Sequence, residues 1–379
     1  MSRGAGAVSL WLRVTSRLRD PGDRTGLLHF YSTTCAADDD VARARFDPAD
    51  PRHRAWCPVS RRALVTGGAG FIGSHVADTL LAAGYDVTII DDFSSGKEQN
   101  VAAGVTVVRG SITSPEAATL IRDGRFDVVA HLAAQIDVRK SVDDPAWDAA
   151  QNIGGSLNLL EAVRKSGYAT RFIFSSSGGA QYGDFVDLPT SESAAKDPQS
   201  PYGIAKLSVE YYMSYFARIH GLDTVALRYA NVYGPRQDPH GEAGVVAIFC
   251  QRILAGTPMT AYGDGLQTRD YVYVGDVARA NLLAATVALP AAGRLDNRGF
   301  NIGTGIETSV VQLADGLLRA AGTTSPLQHA PARAGEQRKS CLAFTKSADV
   351  LGWTPQMPLD DGLKATLEYF RTERNTTAA

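Results

Sequence analysis

Residues 66–75 have the sequence Thr-Gly-Gly-Ala-Gly-Phe-Ile-Gly-Ser-His and directly follow the apolar run at 63–65. Gly67, Gly70 and Gly73 have the spacing of a tight strand-to-helix turn, in which the backbone can approach a pyrophosphate closely. The helix that follows such a turn offers free N–H groups and the positive end of its dipole to the same anion. This stretch therefore predicts a dinucleotide-binding turn between a first strand and a first helix.

The rest of the chain repeats this alternation of strand and helix. Short apolar runs of strand length occur at residues 63–66, 87–90, 105–108, 126–130, 172–174 and 224–227. Continuous apolar strands separated by helices are typical of a parallel sheet that is covered on both faces. We therefore predict an α/β fold, with a Rossmann-type, doubly wound parallel sheet in residues 62–233.

Residues 234–372 have a less regular pattern. Helices are predicted at 244–256, 276–289, 308–321 and 360–372, and a strand at 270–274. We expect a smaller α+β C-terminal lobe that exchanges some strands and helices with the first domain.

The first 61 residues differ in composition. Residues 1–62 contain 11 Arg and 7 Asp but neither Lys nor Glu, and they have no sustained hydrophobic period. This composition indicates a disordered extension or a translation start placed too far upstream, and the Arg-rich first 19 residues leave an organelle transit peptide open. The folded protein is expected to begin near Arg62.

Composition excludes several classes of function. The net charge of −2 gives no electrostatic footprint for nucleic acid, and no uncharged apolar run reaches the length of about 20 residues that a membrane span needs. The four cysteines form no close pair, which argues against a disulfide framework and against a zinc or other metal site. We therefore expect a cytoplasmic protein that binds a small molecule.

Two further features concern the cofactor and the chemistry. Asp91 ends the second strand 18 residues after Gly73, where an acid can bond both ribose hydroxyls of NAD and would repel the 2′-phosphate of NADP. Tyr202 and Lys206 are four residues apart, so they lie on one face of a helix, and a nearby ammonium group favours a phenolate. The serine run 175–177 follows a strand at the sheet edge where ligands bind. We predict NAD as the cofactor and acid–base chemistry at the tyrosine.

Eight motifs extend this pattern along residues 62–370: TGGAGFIGSH (66–75), HLAAQ (131–135), the frame of Asn152, SSSGGAQYG (175–183), SPYGIAK (200–206), LRYANVYGPRQ (227–237), RDYVYV (269–274) and PARAGEQR (331–338). In order and content they resemble the extended short-chain dehydrogenase/reductases, and within that group the UDP-glucose 4-epimerase-like nucleotide-sugar epimerases. The resemblance implies NAD-dependent 4-epimerisation of a UDP-sugar, with UDP-glucose and UDP-galactose as the expected pair. It also implies a homodimer formed through the helices that follow residues 145 and 201.

The resemblance assigns catalytic roles to three residues. Tyr202, as a phenolate, would take the proton of the sugar 4-OH while hydride leaves C4. Ser177 would orient the 4-oxygen, and Lys206 would hold the nicotinamide ribose and lower the pKa of the tyrosine. The transient 4-keto sugar would then rotate about its diphosphate link and receive the hydride on its other face.

The resemblance also assigns binding residues. Those expected around NAD are Gly67, Gly70, Phe71, Ile72, Gly73, Asp91, Ser111, Ile112, Leu132, Ala133, Ala134, Asn152, Tyr202, Lys206 and Tyr229. Those expected around the substrate are Ser177, Asn231, Tyr262, Arg269, Arg333 and Glu336. The two arginines suit a diphosphate, because a guanidinium fork matches phosphate oxygens.

Two positions depart from the family pattern. Ser111 stands where relatives commonly have an aspartate near adenine, so weaker adenine recognition is expected. The loop 135–138 lacks the lysine that some epimerases carry near nicotinamide.

Other functions stay open at this point. The resemblance places the residue that sizes the sugar pocket near Ser340, and this small side chain would allow an N-acetylated sugar. UDP-N-acetylglucosamine and UDP-glucuronate are therefore kept as alternative substrates. A nucleotide-sugar dehydratase or decarboxylase is disfavoured, since Gly178 and Gly179 replace the acid pair that elimination needs. A non-catalytic NAD-binding regulator is the alternative from a different class.

Overall fold

The computed structural model describes residues 61–184, 186–239, 244–332 and 337–378. Apart from its last residue, the predicted N-terminal extension of residues 1–61 lies outside this part of the chain. Among the described residues, no helix is both long enough and apolar enough to cross a bilayer.

The described part of the chain contains thirteen strands. They are β1 (Arg62–Thr66), β2 (Asp86–Asp91), β3 (Thr106–Arg109), β4 (Val128–His131), β5 (Arg171–Ser177), β6 (Asp223–Tyr229), β7 (Asn231–Tyr233), β8 (Met259–Tyr262), β9 (Thr268–Arg269), β10 (Tyr271–Tyr273), β11 (Gly299–Ile302), β12 (Thr308–Ser309) and β13 (Leu327–Ala330). The six strands predicted for the first domain all form, with ends that differ from the prediction by up to three residues.

Eleven α-helices lie within the same described ranges. They are α1 (Phe71–Ala82), α2 (Pro115–Gly124), α3 (Val138–Asp143), α4 (Pro145–Ala149), α5 (Gly155–Ser166), α6 (Gly178–Gln181), α7 (Pro201–His220), α8 (Val245–Ala255), α9 (Val274–Thr286), α10 (Val310–Ala321) and α11 (Leu359–Ala378). A π-helical turn at Ala150–Gly154 joins α4 to α5. The four helices predicted for the second lobe correspond to α8, α9, α10 and α11.

The main sheet is parallel, with the strand order β11-β6-β5-β4-β1-β2-β3 in the described residues. Both faces are buried: Leu64 packs in one apolar cluster and its neighbour Val65 in the other. The strand order reverses between β1 and β4, and a crevice opens at the carboxyl ends of strands at such a reversal. The predicted doubly wound Rossmann fold is confirmed, and it places a ligand site at this edge.

Helix α7 shows how the sequence sets the element that carries the predicted catalytic pair. Ser200 caps its first turn by accepting a hydrogen bond from the Gly203 N–H at 3.1 Å, and Pro201 occupies the first helical position. The helix ends at Gly221, whose φ of +69° is the left-handed conformation that glycine adopts without strain. The position of Tyr202 in the first turn is therefore fixed by its immediate neighbours.

Strand β4 begins at Val128, two residues later than predicted. At Phe126 the carbonyl oxygen accepts a hydrogen bond from the Thr170 hydroxyl at 2.7 Å, so a side chain is its partner. At Asp127 the N–H donates to the Arg62 carbonyl oxygen and the carbonyl oxygen accepts from the Arg171 N–H, both at 2.9 Å. The strand-like bonding therefore begins one residue later than predicted, at Asp127.

One strand from the C-terminal part of the chain joins the main sheet. In the described residues beyond 230, β7 pairs with β10, β8 with β13, and β9 with β12. By contrast, β11 returns to the main sheet and lies parallel to β6, with Phe300 opposite Leu227. The division into 62–233 and 234–372 stays a prediction, and β11 comes from the second of these segments.

Candidate active site

The glycine-rich turn between β1 and α1 forms a closely packed loop. The Gly67 N–H donates to the Ile90 carbonyl oxygen at 2.8 Å, and φ of Gly67 is +68°. The Gly70 N–H donates back to the Gly67 oxygen at 3.1 Å. A Cβ atom at Gly73 would lie 2.0 Å from that same oxygen, so only glycine fits at this position.

The first turn of α1 is open to an anion. The helix begins at Phe71, and Gly70 before it provides no side chain to cap the first N–H groups. The amides of Phe71 and Ile72 therefore belong to the group that has no acceptor within the helix. No acidic residue lies in this turn to compete for them. The turn suits the pyrophosphate of a dinucleotide.

Asp91 lies beside this loop at the end of β2. One carboxylate oxygen accepts from the Ala69 N–H at 2.9 Å and the other from the Phe93 N–H at 2.8 Å. The residue is buried, and a Cβ atom at Gly96 would lie 2.7 Å from its Oδ1. Each oxygen keeps a second lone pair. The carboxylate is thus fixed where it can accept bonds from ribose hydroxyls.

Two further residues predicted to contact the cofactor follow β3. The Ser111 hydroxyl pairs with the Thr113 hydroxyl at 2.9 Å, so it bonds a neighbour on its own loop. Ile112 is buried, and its carbonyl oxygen accepts from Asn158 Nδ2 at 2.8 Å. The structure places both on the loop that continues from β3 at the carboxyl edge of the sheet.

The loop after β4 packs against the glycine turn. The N–H groups of Leu132 and Ala133 both donate to the Thr66 hydroxyl oxygen at 3.1 Å. A Cβ atom at Gly67 would lie 2.8 Å from the Ala133 nitrogen. The segment that ends in Ala134 therefore lies directly beside the turn, as expected if both contact one cofactor.

His131 is a buried residue that connects neighbouring elements. We did not predict this role, although the motif HLAAQ that begins with it is visible in the sequence. Thr66 Oγ1 lies 2.8 Å from His131 Nδ1, and His131 Nε2 lies 2.9 Å from Ser156 Oγ. The Ser156 hydroxyl in turn donates to the backbone carbonyl oxygen of Asn152. Because Thr66 already accepts two N–H groups, its proton goes to Nδ1, and Nε2 carries the ring proton. Burial, with the charge of Lys206, lowers the pKa of His131 to about 3, so the ring is neutral.

Asn152 holds the same loop from the other side. Its Oδ1 accepts from the backbone N–H of Gln135 at 2.9 Å. Its Nδ2 donates to the backbone carbonyl oxygen of Gln135 and to Asp148 Oδ1, both at 3.0 Å. Asp148 is fully buried on α4. Asn152, predicted to contact the cofactor, here bonds residues of the chain that shape the loop.

The three predicted catalytic side chains converge where α7 meets the end of β5. Lys206 Nζ donates to the Ser175 carbonyl oxygen at 2.8 Å and lies 4.8 Å from the ring centre of Phe174. The same ammonium lies 5.7 Å from the ring centre of Tyr202. The Ser177 hydroxyl acts on the phenol of Tyr202 and lowers its pKa. One site thus combines a hydroxyl, a phenol and an ammonium group.

Burial controls the electrostatics of this group. It raises the pKa of Tyr202, and the negative charge of Asp148 raises it further, whereas the bond from Ser177 lowers it. Burial also lowers the pKa of Lys206 to about 8, opposed by the carboxylates of Asp148 and Glu210. Within the chain itself, the rise in the pKa of Tyr202 that burial causes is larger than the lowering that we expected from Lys206. The phenol therefore needs a further positive charge to ionise near neutral pH.

A small space lies next to Ser177. A Cβ atom at Gly179 would lie 3.7 Å from Ser340 Oγ and 3.8 Å from Asn231 Oδ1, which are ordinary contacts. A Cβ atom at Gly178 would lie only 2.4 Å from Leu342 Cδ1. The structure therefore brings Asn231 and Ser340 together around Gly179 and leaves no room for a side chain at the preceding residue.

The other predicted residues are more dispersed. Tyr229 lies opposite Ser177 on β6, and its buried hydroxyl accepts from Asn281 Nδ2 at 2.8 Å. Tyr262 ends β8, and Arg269 lies on β9 with Nη1 donating to its neighbour's carbonyl oxygen at 2.8 Å. Arg333 and Glu336 lie outside the described residues.

Comparison with known proteins identifies the family. The model of the NAD-dependent epimerase/dehydratase family matches residues 63–303. UDP-glucose 4-epimerase of Mycolicibacterium smegmatis is 43% identical over 317 residues, covering 82% of this chain and 99% of that protein.

Two solved structures are similar to this chain over most of its length. UDP-glucose 4-epimerase of Thermotoga maritima with UDP-glucose has a TM-score of 0.78 and 51% identity, covering 83% of this chain and 99% of that one. The enzyme of Thermus thermophilus, in complex with NAD, has a TM-score of 0.75 and 42% identity, covering 82% of this chain and 99% of that one. The chain belongs to the NAD-dependent epimerase/dehydratase family.

Proposed function

We propose that this protein is an NAD-dependent UDP-sugar 4-epimerase that interconverts UDP-glucose and UDP-galactose. The observation that carries the proposal is the convergence of Ser177, Tyr202 and Lys206 at the sheet edge that also holds the glycine turn. The named activity of the relatives supports it.

The residues of the dinucleotide cradle fit NAD. Gly73 packs against the backbone of Gly67 and keeps the turn tight, the first turn of α1 beside it is uncapped, and Asp91 is fixed beside the turn. NAD, when bound, supplies the hydride acceptor and a positive charge near the phenol. Gly67, Gly73 and Asp91 would hold its pyrophosphate and ribose.

The chain's own residues then do the proton chemistry. Tyr202 removes the proton of the sugar 4-OH and returns it when the inverted centre forms. Ser177, which lowers the pKa of that phenol, orients the 4-oxygen, while Lys206 supplies positive charge beside the phenol. Because the same phenol removes and returns the proton, the reaction needs no net proton exchange with solvent.

The sugar pocket leaves a second substrate class open. Gly179 has no side chain and Ser340 has a small one, and a Cβ atom at Gly179 would make only ordinary contacts with Ser340 and Asn231. An N-acetylhexosamine is therefore the second candidate. A dehydratase is disfavoured, because Leu342 occupies the space that an acid at Gly178 would need.

We also propose a homodimer formed through α4 and α7, which pack against each other. Their outward faces expose Trp147, Tyr211, Tyr212, Tyr215 and Ile219, an apolar patch typical of an interface. A solution mass near twice 40.3 kDa is expected, and a monomer would contradict this arrangement. A cytoplasmic location is proposed as well, since the buried Cys250 and Cys341 carry free thiols.

The decisive experiment uses the purified full chain. Denaturation should release NAD, and the enzyme should interconvert UDP-glucose and UDP-galactose. Tyr202→Phe should lower turnover about 10²–10⁴-fold while the cofactor stays bound, because only the acid–base group is removed. Absence of dinucleotide, or a fully active Tyr202→Phe variant, would refute the proposal in favour of another family activity or a non-catalytic NAD-binding role.

A further inference from the structure

Three consecutive serines at the end of β5 are each linked to a different residue of one stripe on α7. The Ser175 carbonyl oxygen accepts from Lys206, the Ser176 hydroxyl donates to Glu210, and Ser177 lowers the pKa of Tyr202. The α7 partners are spaced four residues apart, so they lie on one helix face. The pair of Ser176 and Glu210 has no role in the chemistry proposed above, although it lies next to the residues that do.

Glu210 bonds both neighbours of the Ser177 side chain. Its Oε1 accepts from the Ser176 hydroxyl at 2.6 Å and from Gln181 Nε2 at 3.0 Å. Gln181 Nε2 also donates to the carbonyl oxygen of Ser177 at 3.1 Å. The carboxylate is therefore linked directly to the Ser176 side chain and, through Gln181, to the backbone of Ser177.

Arg228 on β6 holds that carboxylate in place. Its Nε lies 3.1 Å from each Glu210 oxygen, and its Nη2 donates to Oε2 at 2.6 Å. Arg228 is fully buried and Glu210 nearly so, and Nη2 also donates to Asp296 at 2.8 Å. A buried, multiply bonded ion pair gives the carboxylate one orientation.

We propose that Glu210, held by Arg228, is a positioning residue that sets the Ser177 hydroxyl against Tyr202 through Ser176 and Gln181. This inference rests on the proposed 4-epimerase function and concerns the same site. The ion pair itself is formed by Glu210 and Arg228 and does not require Ser176 or Gln181. The bonds to Ser176 and Gln181 extend it to the strand end that carries the reacting hydroxyl.

The test removes one side-chain group at a time and leaves the ion pair intact. Ser176→Ala deletes the hydroxyl that contacts both Glu210 and Gln181, and Gln181→Met deletes the amide that contacts Ser176, Ser177 and Glu210, at nearly constant size. The matched control is Ser347→Ala, which removes an equally buried hydroxyl whose bond to the Asn301 oxygen is also 2.6 Å. For each variant, kcat and KM for UDP-glucose, NAD content and Tm are measured.

Ser176→Ala is expected to lower kcat about tenfold, because small misplacements of a reacting group have large effects on rate. The KM for UDP-glucose should change less than about twofold, since only the hydroxyl at the reacting carbon moves. Gln181→Met should act in the same direction. Ser347→Ala should keep wild-type kcat at a similar Tm.

The same change is then made in a Ser177→Ala background. If Ser176 acts through Ser177, its removal should have no further effect on kcat there. An equal loss in both backgrounds, or unchanged kcat in both Ser176→Ala and Gln181→Met, would overturn the positioning role while the epimerase function stands. A wild-type protein without epimerase activity would overturn both.

Discussion

The side chain of Leu342 occupies the space in which any side chain at Gly178 would begin. A Cβ atom there would lie 2.4 Å from Leu342 Cδ1 and 3.0 Å from Cδ2, and Leu342 is buried. We expect Gly178→Ala to lower the free energy of unfolding by about 1–3 kcal/mol, because the leucine must move within a packed core. Urea denaturation followed by circular dichroism measures this change.

Gly179→Ala is the matched control, since it changes the neighbouring residue of the same short helix where a Cβ atom has only ordinary contacts. It should be nearly as stable as the wild type. Combining Gly178→Ala with Leu342→Val should cost less than the sum of the two changes. Equal stability of the two alanine variants would show that Leu342 does not restrict this site.

Gly73→Ala is expected to weaken NAD binding at least tenfold. The added methyl group would lie 2.0 Å from the Gly67 carbonyl oxygen, so the turn that we propose to hold the pyrophosphate must open. Gly70→Ala provides a graded comparison, because its methyl group would lie 3.2 Å from the same oxygen. Dinucleotide released on denaturation, per mole of protein, measures both. A Gly73→Ala protein that retains full NAD would contradict the role of this turn.

His131 predicts a component of acid sensitivity. Its pKa is lowered to about 3 in the fold, so between pH 6.5 and 3 the unfolded chain binds more protons than the folded one. The stability that depends on neutral His131 is present above pH 6.5 and is lost as the pH falls toward 3. The loss amounts to roughly 3–5 kcal/mol at 1.36 kcal/mol per unit.

His131→Gln removes this titration. Unfolding free energies measured by urea at pH 7 and pH 5 should differ less in this variant than in the wild type. An identical pH dependence in both proteins would show that His131 is not the group responsible.

Lys206 predicts an alkaline limit to activity. Its pKa is lowered to about 8, so above that pH the ammonium loses its charge and no longer favours the phenolate of Tyr202. Asp148 raises the pKa of both Tyr202 and Lys206. Glu210 also raises the pKa of Lys206, and the charge of Lys206 lowers the pKa of His131.

Asp148→Asn should therefore move both limbs of the pH–rate profile for kcat to lower pH. The amide keeps an oxygen to accept the bonds from Gln135 and Asn152. A profile that does not move would separate Asp148 from the electrostatics of the site.

Much of the fold and part of the site follow from local sequence. The spacing of Gly67, Gly70 and Gly73 predicts the turn, and the spacing of Tyr202 and Lys206 predicts a shared helix face. Both depend on neighbours within one turn of the chain, so a single sequence contains the information. The chemistry of the serine run could be assigned because it follows a strand.

The supporting residues could not be predicted in this way. Glu210 lies four residues after Lys206, but its use depends on where β5 ends and on Arg228 being buried, which is rare for arginine. His131 links two strands and a helix that are separated by up to ninety residues. Strand β11 was missed because it has four residues and contains Gly299 and Asn301, which are uncommon in strands.

The pairing of β11 with β6 also limits how this protein could be recombined. A chimaera joined near residue 233 would take β11 from a different parent, and any mismatch would expose the edge of β6 and the apolar surface that Phe300 and Ile302 cover. The two parts of the chain are not interchangeable modules. We therefore expect sugar preference to change more readily through single substitutions in the proposed pocket around Gly179 and Ser340 than through transplanting the whole C-terminal half.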